Sequence, residues 1–280
     1  MKIKIVSDSS CDLSSLEGVS FTTVPLKIIT NDREYLDNEQ LNVSDMIKEL
    51  REYKGRSRTS CPNVQEWKDA FESADEIFAI TITSSLSGSY NAALAAKKLW
   101  EEENPKKRIH VFDTLSAGPE IALIIEKLRD LIVQGEAFDS ICKKITEYQK
   151  RTHLLFSLES MHNFAQNGRV SKIVASAAGV MGIRILGTAS QEGTLEIIKK
   201  IRGKSKAIAA FLPEMKNRGY CGGKVNIGHC FNEEGAKELA TIILSQFQGA
   251  NVNIYPMRGL CCYYAEKGGI LVGFEGKDVK

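Results

Sequence analysis

Apolar and polar positions alternate along this chain in two textures. Residues 77–82, IFAITI, are apolar and β-branched with no polar alternation. That pattern predicts a strand covered on both faces in a parallel sheet. A hydroxyl-rich turn, Thr83-Ser84-Ser85-Leu86-Ser87-Gly88-Ser89, follows it. Tyr90, Ala93, Leu94, Ala96 and Trp100 then recur at helical spacing. Upstream, Lys2–Val6 reads as a short strand running into Ser7-Asp8-Ser9-Ser10-Cys11-Asp12. Val24, Leu26 and Ile28 alternate within residues 19–29 and predict one edge strand, followed by polar loop over 32–38. Ser44 is the expected cap of a helix over 45–53. Thr59-Ser60-Cys61 precedes Pro62 and is expected to run extended. Asn63 and Glu66 have capping-box spacing for a helix through Ala74. Residues 109–112 read as a strand, and helices are expected over 118–134 and 138–151. Strand and helix alternate to this point, which argues for βαβ units and a parallel sheet.

The second half differs. Strands are expected over 153–158, 183–188, 194–201, 224–229, 251–255 and 268–274. Helices are expected over 159–166, with Asn167-Gly168 as C-cap, over 202–217 with a break or kink at Pro213, and over 233–247. Residues 256–267, PMRGLCCYYAEK, receive no element. The boundary is placed at Leu158, giving a parallel α/β domain over 1–158 and a mixed α/β domain over 159–280.

Composition narrows the classes. The chain has 280 residues, 43% hydrophobic and 26% charged, with a net charge of +2. This is ordinary for a globular protein and favours neither nucleic acid nor an anionic membrane surface. No apolar run is long enough to span a bilayer. The N-terminus enters a strand directly, so secretion is not expected. Seven cysteines, an odd count without Cys-x-x-Cys spacing, argue for a reducing cytoplasm and against a disulfide framework or zinc. No metal or cofactor motif is present among the four histidines.

Ligands bind beyond the carboxyl ends of strands in open α/β sheets, and a helix N-terminus there suits an anion. The turn at Ser87 is therefore a candidate anion site, with N-capping as the plainer account. Ser87 lacks the Gly-x-Ser-x-Gly context of a nucleophile elbow, and no phosphate loop is found. Cys261-Cys262 reads as buried thiol among apolar neighbours. Arg169 after Gly168 is either an anion-binding or docking arginine or an exposed charge.

SDSSCDL after the first strand, TSCP at Thr59–Pro62, ITITSSLSGSY at Ile80–Tyr90 and NGRVSK at Asn167–Lys172 resemble, in order and spacing, the DegV family. Asp113-Thr114 and the KKIRGKSKA stretch fit as well. The resemblance covers essentially the whole chain. It implies the two-domain DegV-like (EDD) fold, a long-chain fatty acid held between the domains, no catalytic centre, and similarity to the acyl-binding subunit of bacterial fatty acid kinase, which presents the acid to a separate kinase. By motif, Thr59 and Ser87 would bind the carboxylate, with Ser60 and Gly88 as helpers and Arg169 near the head group or facing the kinase. Family members usually carry a His-x-Gly-x-Gly stretch whose His contacts the carboxylate. Here Cys261 falls about where that His stands, and a thiol cannot supply the same donor. Arg258 or Tyr263 are candidate replacements. Ile28, Ala175–Gly182, Ile183 and Ile185 are expected in the apolar wall. Fatty-acid binding without metal or other cofactor is the expected function. A hydrolase or acyltransferase using Ser87, or a scaffold with an empty cleft, are the alternatives.

Overall fold

The computed structural model describes residues 2–171 and 182–277. Three sheets carry the architecture. The first is wholly parallel, with β1 (Ile3–Asp8), β2 (Ser20–Val24), β6 (Glu76–Thr81) and β7 (Arg108–Asp113) in the order β2-β1-β6-β7. Every residue of β6 is buried, as its unbroken apolar run requires. The second is a six-stranded mixed sheet built from β8 (Thr152–Leu158), β9 (Ile183–Ala189), β10 (Leu195–Arg202), β11 (Lys224–His229), β12 (Asn251–Pro256) and β13 (Ile270–Glu275). Its order is β10-β9-β8-β13-β11-β12, antiparallel except for β11 with β12. The third is small and antiparallel: β4 (Glu34–Leu36), β3 (Lys27–Ile29) and β5 (Arg58–Ser60), with β3 in the middle.

Several expectations change for identifiable reasons. Residues 19–29 form two strands, because Pro25 lacks the N–H that a continuous ladder needs. Their second part pairs with β4, where polar loop was expected. Asn42, not Ser44, caps α1 (Val43–Glu52): its side chain accepts from the Ser44 and Asp45 backbone N–H groups. The capping box of Asn63 and Glu66 does form, at the start of α2 (Val64–Phe71). The helix expected over 202–217 divides into α7 (Lys204–Ala209) and α8 (Phe211–Asn217). Pro213 cannot donate to the Ala209 carbonyl, so the chain breaks there.

Four further helices complete the N-terminal half and its junction: α3 (Ser89–Glu103), α4 (Pro119–Val133), α5 (Phe138–Gln149) and the short α6 (His162–Gln166). Helix α4 is buried from Pro119 through Ile125. Those first two turns, apolar but for Glu120, lie in the interior because α4 packs against β1 and β6 of the first sheet and against β8, β11 and β13 of the second. Gly273 permits that contact: a Cβ there would stand 2.4 Å from the Glu120 nitrogen. Helix α9 (Glu233–Gln246) covers β11 and β12. The unassigned stretch at 256–267 contains α10 (Gly259–Ala265).

Strand β8 hydrogen-bonds to β9 and β13, within the second sheet. We propose on that pairing that the division between the halves lies ahead of Thr152 rather than after Leu158. Among the described residues, no helix is long and apolar enough to cross a membrane.

Candidate functional site

The strand order β2-β1-β6-β7 switches side between β1 and β6, so the connections leaving their carboxyl ends part and open a crevice there. Asp8 closes the base of this crevice. It is fully buried at the end of β1, and its carboxylate accepts from Ser10 N (3.3 Å), Ser10 Oγ, Ile82 N (2.9 Å) and Ser89 Oγ (2.6 Å). One side chain thus ties the ends of both strands to the first residue of α3. Burial pushes the Asp8 carboxyl up, and these donors act against that. Asp113 fixes the neighbouring turn, accepting from the Ser84 and Leu115 backbone N–H groups at 3.1 Å each.

Above this frame lies a cavity of about 300 Å³ between the two larger sheets. Leu26, Ile82, Leu86 and Ala117 line it from the N-terminal half, and Leu154, Phe156, Leu158, Leu195 and Leu271 from the other. Polar groups gather at Thr59, Ser60, Ser87, Gly88, Arg169 and Tyr264, which also line it. The structure thus brings together the predicted site residues Thr59, Ser60, Ser87, Gly88, Arg169 and Cys261 on one cavity, from four segments spread between positions 59 and 261.

Their surroundings differ. Thr59 Oγ1 shares a 2.7 Å hydrogen bond with the Tyr264 hydroxyl, and its backbone N–H donates to Asn167 Oδ1 at 3.2 Å. Ser60 is exposed, and its hydroxyl donates to the Cys61 carbonyl. Ser87 Oγ accepts from Ser89 N at 3.3 Å. Gly88 lies against the Cys61 sulfur, which would stand 3.1 Å from a Cβ, so only glycine fits without displacing that thiol. Arg169 Nε donates to the Leu86 carbonyl at 3.1 Å, and Nη1 donates to the Asn167 carbonyl. Gly168 holds the left-handed turn ahead of it, at φ +73°, as a helix C-cap should.

Cys261 is buried, and its thiol donates to the Ser10 carbonyl at 3.5 Å. Burial, with Asp12 nearby, pushes the thiol far up, so it stays protonated. The candidate replacements for the missing His are elsewhere. Arg258 faces Asp37 (3.9 Å) and the Leu13 carbonyl, outside the cavity lining. The Tyr263 hydroxyl contacts Ser57 Oγ (2.8 Å) and Asn167 Nδ2 (2.9 Å), also outside it. The neighbouring Tyr264, which sequence reasoning passed over, faces the cavity instead. Its signal was weak, because helical phase in α10 decides which of two adjacent tyrosines points inward. The apolar wall also differs from expectation. Ile28 packs with Tyr35, Met46 and Tyr263, and Ile185 sits in the core behind the wall. Ile183 is not in the lining either. Of Ala175–Gly182, residues 175–181 lie outside the described residues.

Two buried carboxylates hold α10 in place. Asp37 accepts from Gly259 N (2.8 Å) and Leu260 N (3.0 Å), and Asp12 accepts from Arg258 N (2.8 Å). Burial raises Asp37, and burial raises Asp12 to about 7. No group of three or more metal-ligating side chains occurs among the described residues.

A family model described as "Uncharacterised protein, DegV family" matches residues 2–276. This chain belongs to the DegV family. A DegV domain-containing protein of Streptococcus gordonii is 40% identical over 98% of this chain and 99% of its own. A DegV family protein from Eubacterium eligens, solved loaded with heptadecanoic acid, is 44% identical, with a TM-score of 0.96 over 98% of this chain and 100% of that one. The Fatty Acid Kinase (Fak) B3 protein of Streptococcus pneumoniae, solved loaded with linoleic acid, is 40% identical, with a TM-score of 0.97 over 98% and 99%. The mixed α/β architecture of this DegV protein is therefore that of its family.

Proposed function

We propose that this DegV protein binds one long-chain fatty acid non-covalently in the cavity between its two large sheets and acts by binding, without chemistry of its own. The observation that carries this reading is a leucine- and phenylalanine-walled cavity that ends in a cluster of hydroxyls and helix N-terminal N–H groups. The carboxylate sits at Thr59, Ser87 and the Gly88 end of α3, where charge-assisted hydrogen bonds compensate its loss of water. The 15-residue α3 adds the positive end of its dipole. Arg169 positions the turn through the Leu86 carbonyl, and Ser60 stands at the rim. Cys261 contributes wall rather than a proton. The acyl chain supplies affinity at about 0.8 kcal/mol per buried methylene, so a sixteen-carbon acid gains roughly 10 kcal/mol in gross terms before association costs.

The fatty acids bound by the Eubacterium eligens and Streptococcus pneumoniae relatives support this ligand class. The likeness to the Fak B3 protein supports presentation of the acid to a separate kinase. Seven free cysteines support a cytoplasmic setting. A Ser87 nucleophile has weaker support, because it needs a base within reach and no histidine among the described residues lines the cavity. His110 packs on Phe112, and His153 on Phe274. His162 and His229 line separate clefts.

The test is mass spectrometry of an organic extract of gently purified protein. A stoichiometric long-chain acid is expected, and an extract without lipid together with no uptake of added palmitate overturns the reading. Labelling of Ser87 by a fluorophosphonate would favour the hydrolase instead.

A further inference from the structure

We infer that the cavity also takes lipids with an uncharged head group that both donates and accepts a hydrogen bond, a fatty alcohol or primary fatty amide, and that Tyr264 is the residue gripping that head. The inference rests on the reading that the cavity holds a single-chain lipid. Among the described residues lining the cavity, Arg169 is the one charged side chain. Two of its nitrogens already donate to the Leu86 and Asn167 carbonyls. Everything else polar at that end is neutral: hydroxyls, a thiol and backbone N–H.

The Thr59–Tyr264 hydroxyl pair sets the preference. The two oxygens are 2.7 Å apart, and one proton lies between them. Among the described residues, what remains is one free O–H and unused lone pairs. An alcohol or amide satisfies both, whereas a carboxylate satisfies only the donor. Burial pushes the Tyr264 ionisation up, so the pair keeps both its protons. The pair is also preorganised. The Tyr264 ring stacks on Phe164 with centroids 4.6 Å apart, and Asn167 holds the Thr59 backbone at 3.2 Å. A carboxylate gains more from Arg169, but it also loses more on leaving water, and these two effects oppose each other closely in buried sites.

The experiment uses the full chain stripped of lipid, with ligands of one chain length that differ only at the head: laurate, 1-dodecanol, methyl laurate and dodecane. Competition against a fluorescent fatty acid reads relative affinity. Dodecanol is expected within about tenfold of laurate. Methyl laurate, which only accepts, and dodecane should fall about tenfold or more below dodecanol. Tyr264→Phe should weaken dodecanol by about tenfold and leave dodecane unchanged, with Thr59→Val as the matching partner variant. Dodecanol no tighter than dodecane, or insensitive to both variants, overturns the inference. Laurate binding in that case leaves the fatty-acid reading intact, whereas failure of laurate itself overturns both.

Discussion

Asp8→Asn isolates the frame under the cavity. The substitution keeps shape and volume but turns one carboxylate oxygen into a donor. One oxygen of Asp8 accepts from Ser10 N and the other from Ile82 N. Whichever way the amide turns, one buried backbone N–H loses its acceptor and faces an NH2 group. An unsatisfied buried group costs about 1–3 kcal/mol. The serine hydroxyls can rotate and accept, so they add little. Relief from burying a charge, which pushes this carboxyl up, offsets part of the loss. The net expectation is about 2 kcal/mol. For 280 residues the unfolding entropy is about 0.6 kcal/mol per kelvin, so Tm should fall by about 3 °C. The assay is urea and thermal unfolding of lipid-free protein, because bound lipid adds its own stabilisation. Ser89→Ala, which removes one hydroxyl donor, should cost about half as much. Asp8→Asn matching the unsubstituted protein within about 0.5 kcal/mol would refute the view that Asp8 is the tie between β1, β6 and α3.

Three other outcomes are expected. Thr59→Ala combined with Ser87→Ala should weaken palmitate binding by about tenfold or more, measured by displacement titration, and an unchanged affinity would remove both residues from the site. Asp12 has a folded pKa near 7 against an ordinary value of 3.8. Folding therefore favours its neutral form. That stability is fully present below about pH 4 and is lost as pH rises through about 7, by up to about 4 kcal/mol. Asp12→Asn should flatten the stability profile in that window, and an unchanged slope counts against the assignment. Gly273→Ala should destabilise by about 1–3 kcal/mol in urea unfolding, because its methyl group would meet the backbone at the start of α4. A neutral result would mean that α4 shifts freely on β13.

The DegV protein's sequence determined its local elements and singled out turns that line its cavity. The apolar run of β6, the capping box at Asn63 and the helix stop at Gly168 each depend on neighbours within a few residues, so they are legible without a fold. The motifs at Thr59 and Ser87 were legible for the same reason, and their family pattern pointed to a lipid acid. Tertiary structure decided what depends on phase and pairing. A short strand such as β4 exists only because β3 lies beside it. Strand β8 joins the second sheet through its partners, β9 and β13. In α10, the rotation fixed by Asp12 and Asp37 sends Tyr264 into the cavity and Tyr263 against Ser57 and Asn167. No local pattern distinguishes those two adjacent tyrosines, because the difference lies in which surface each meets after residues more than two hundred positions apart have come together.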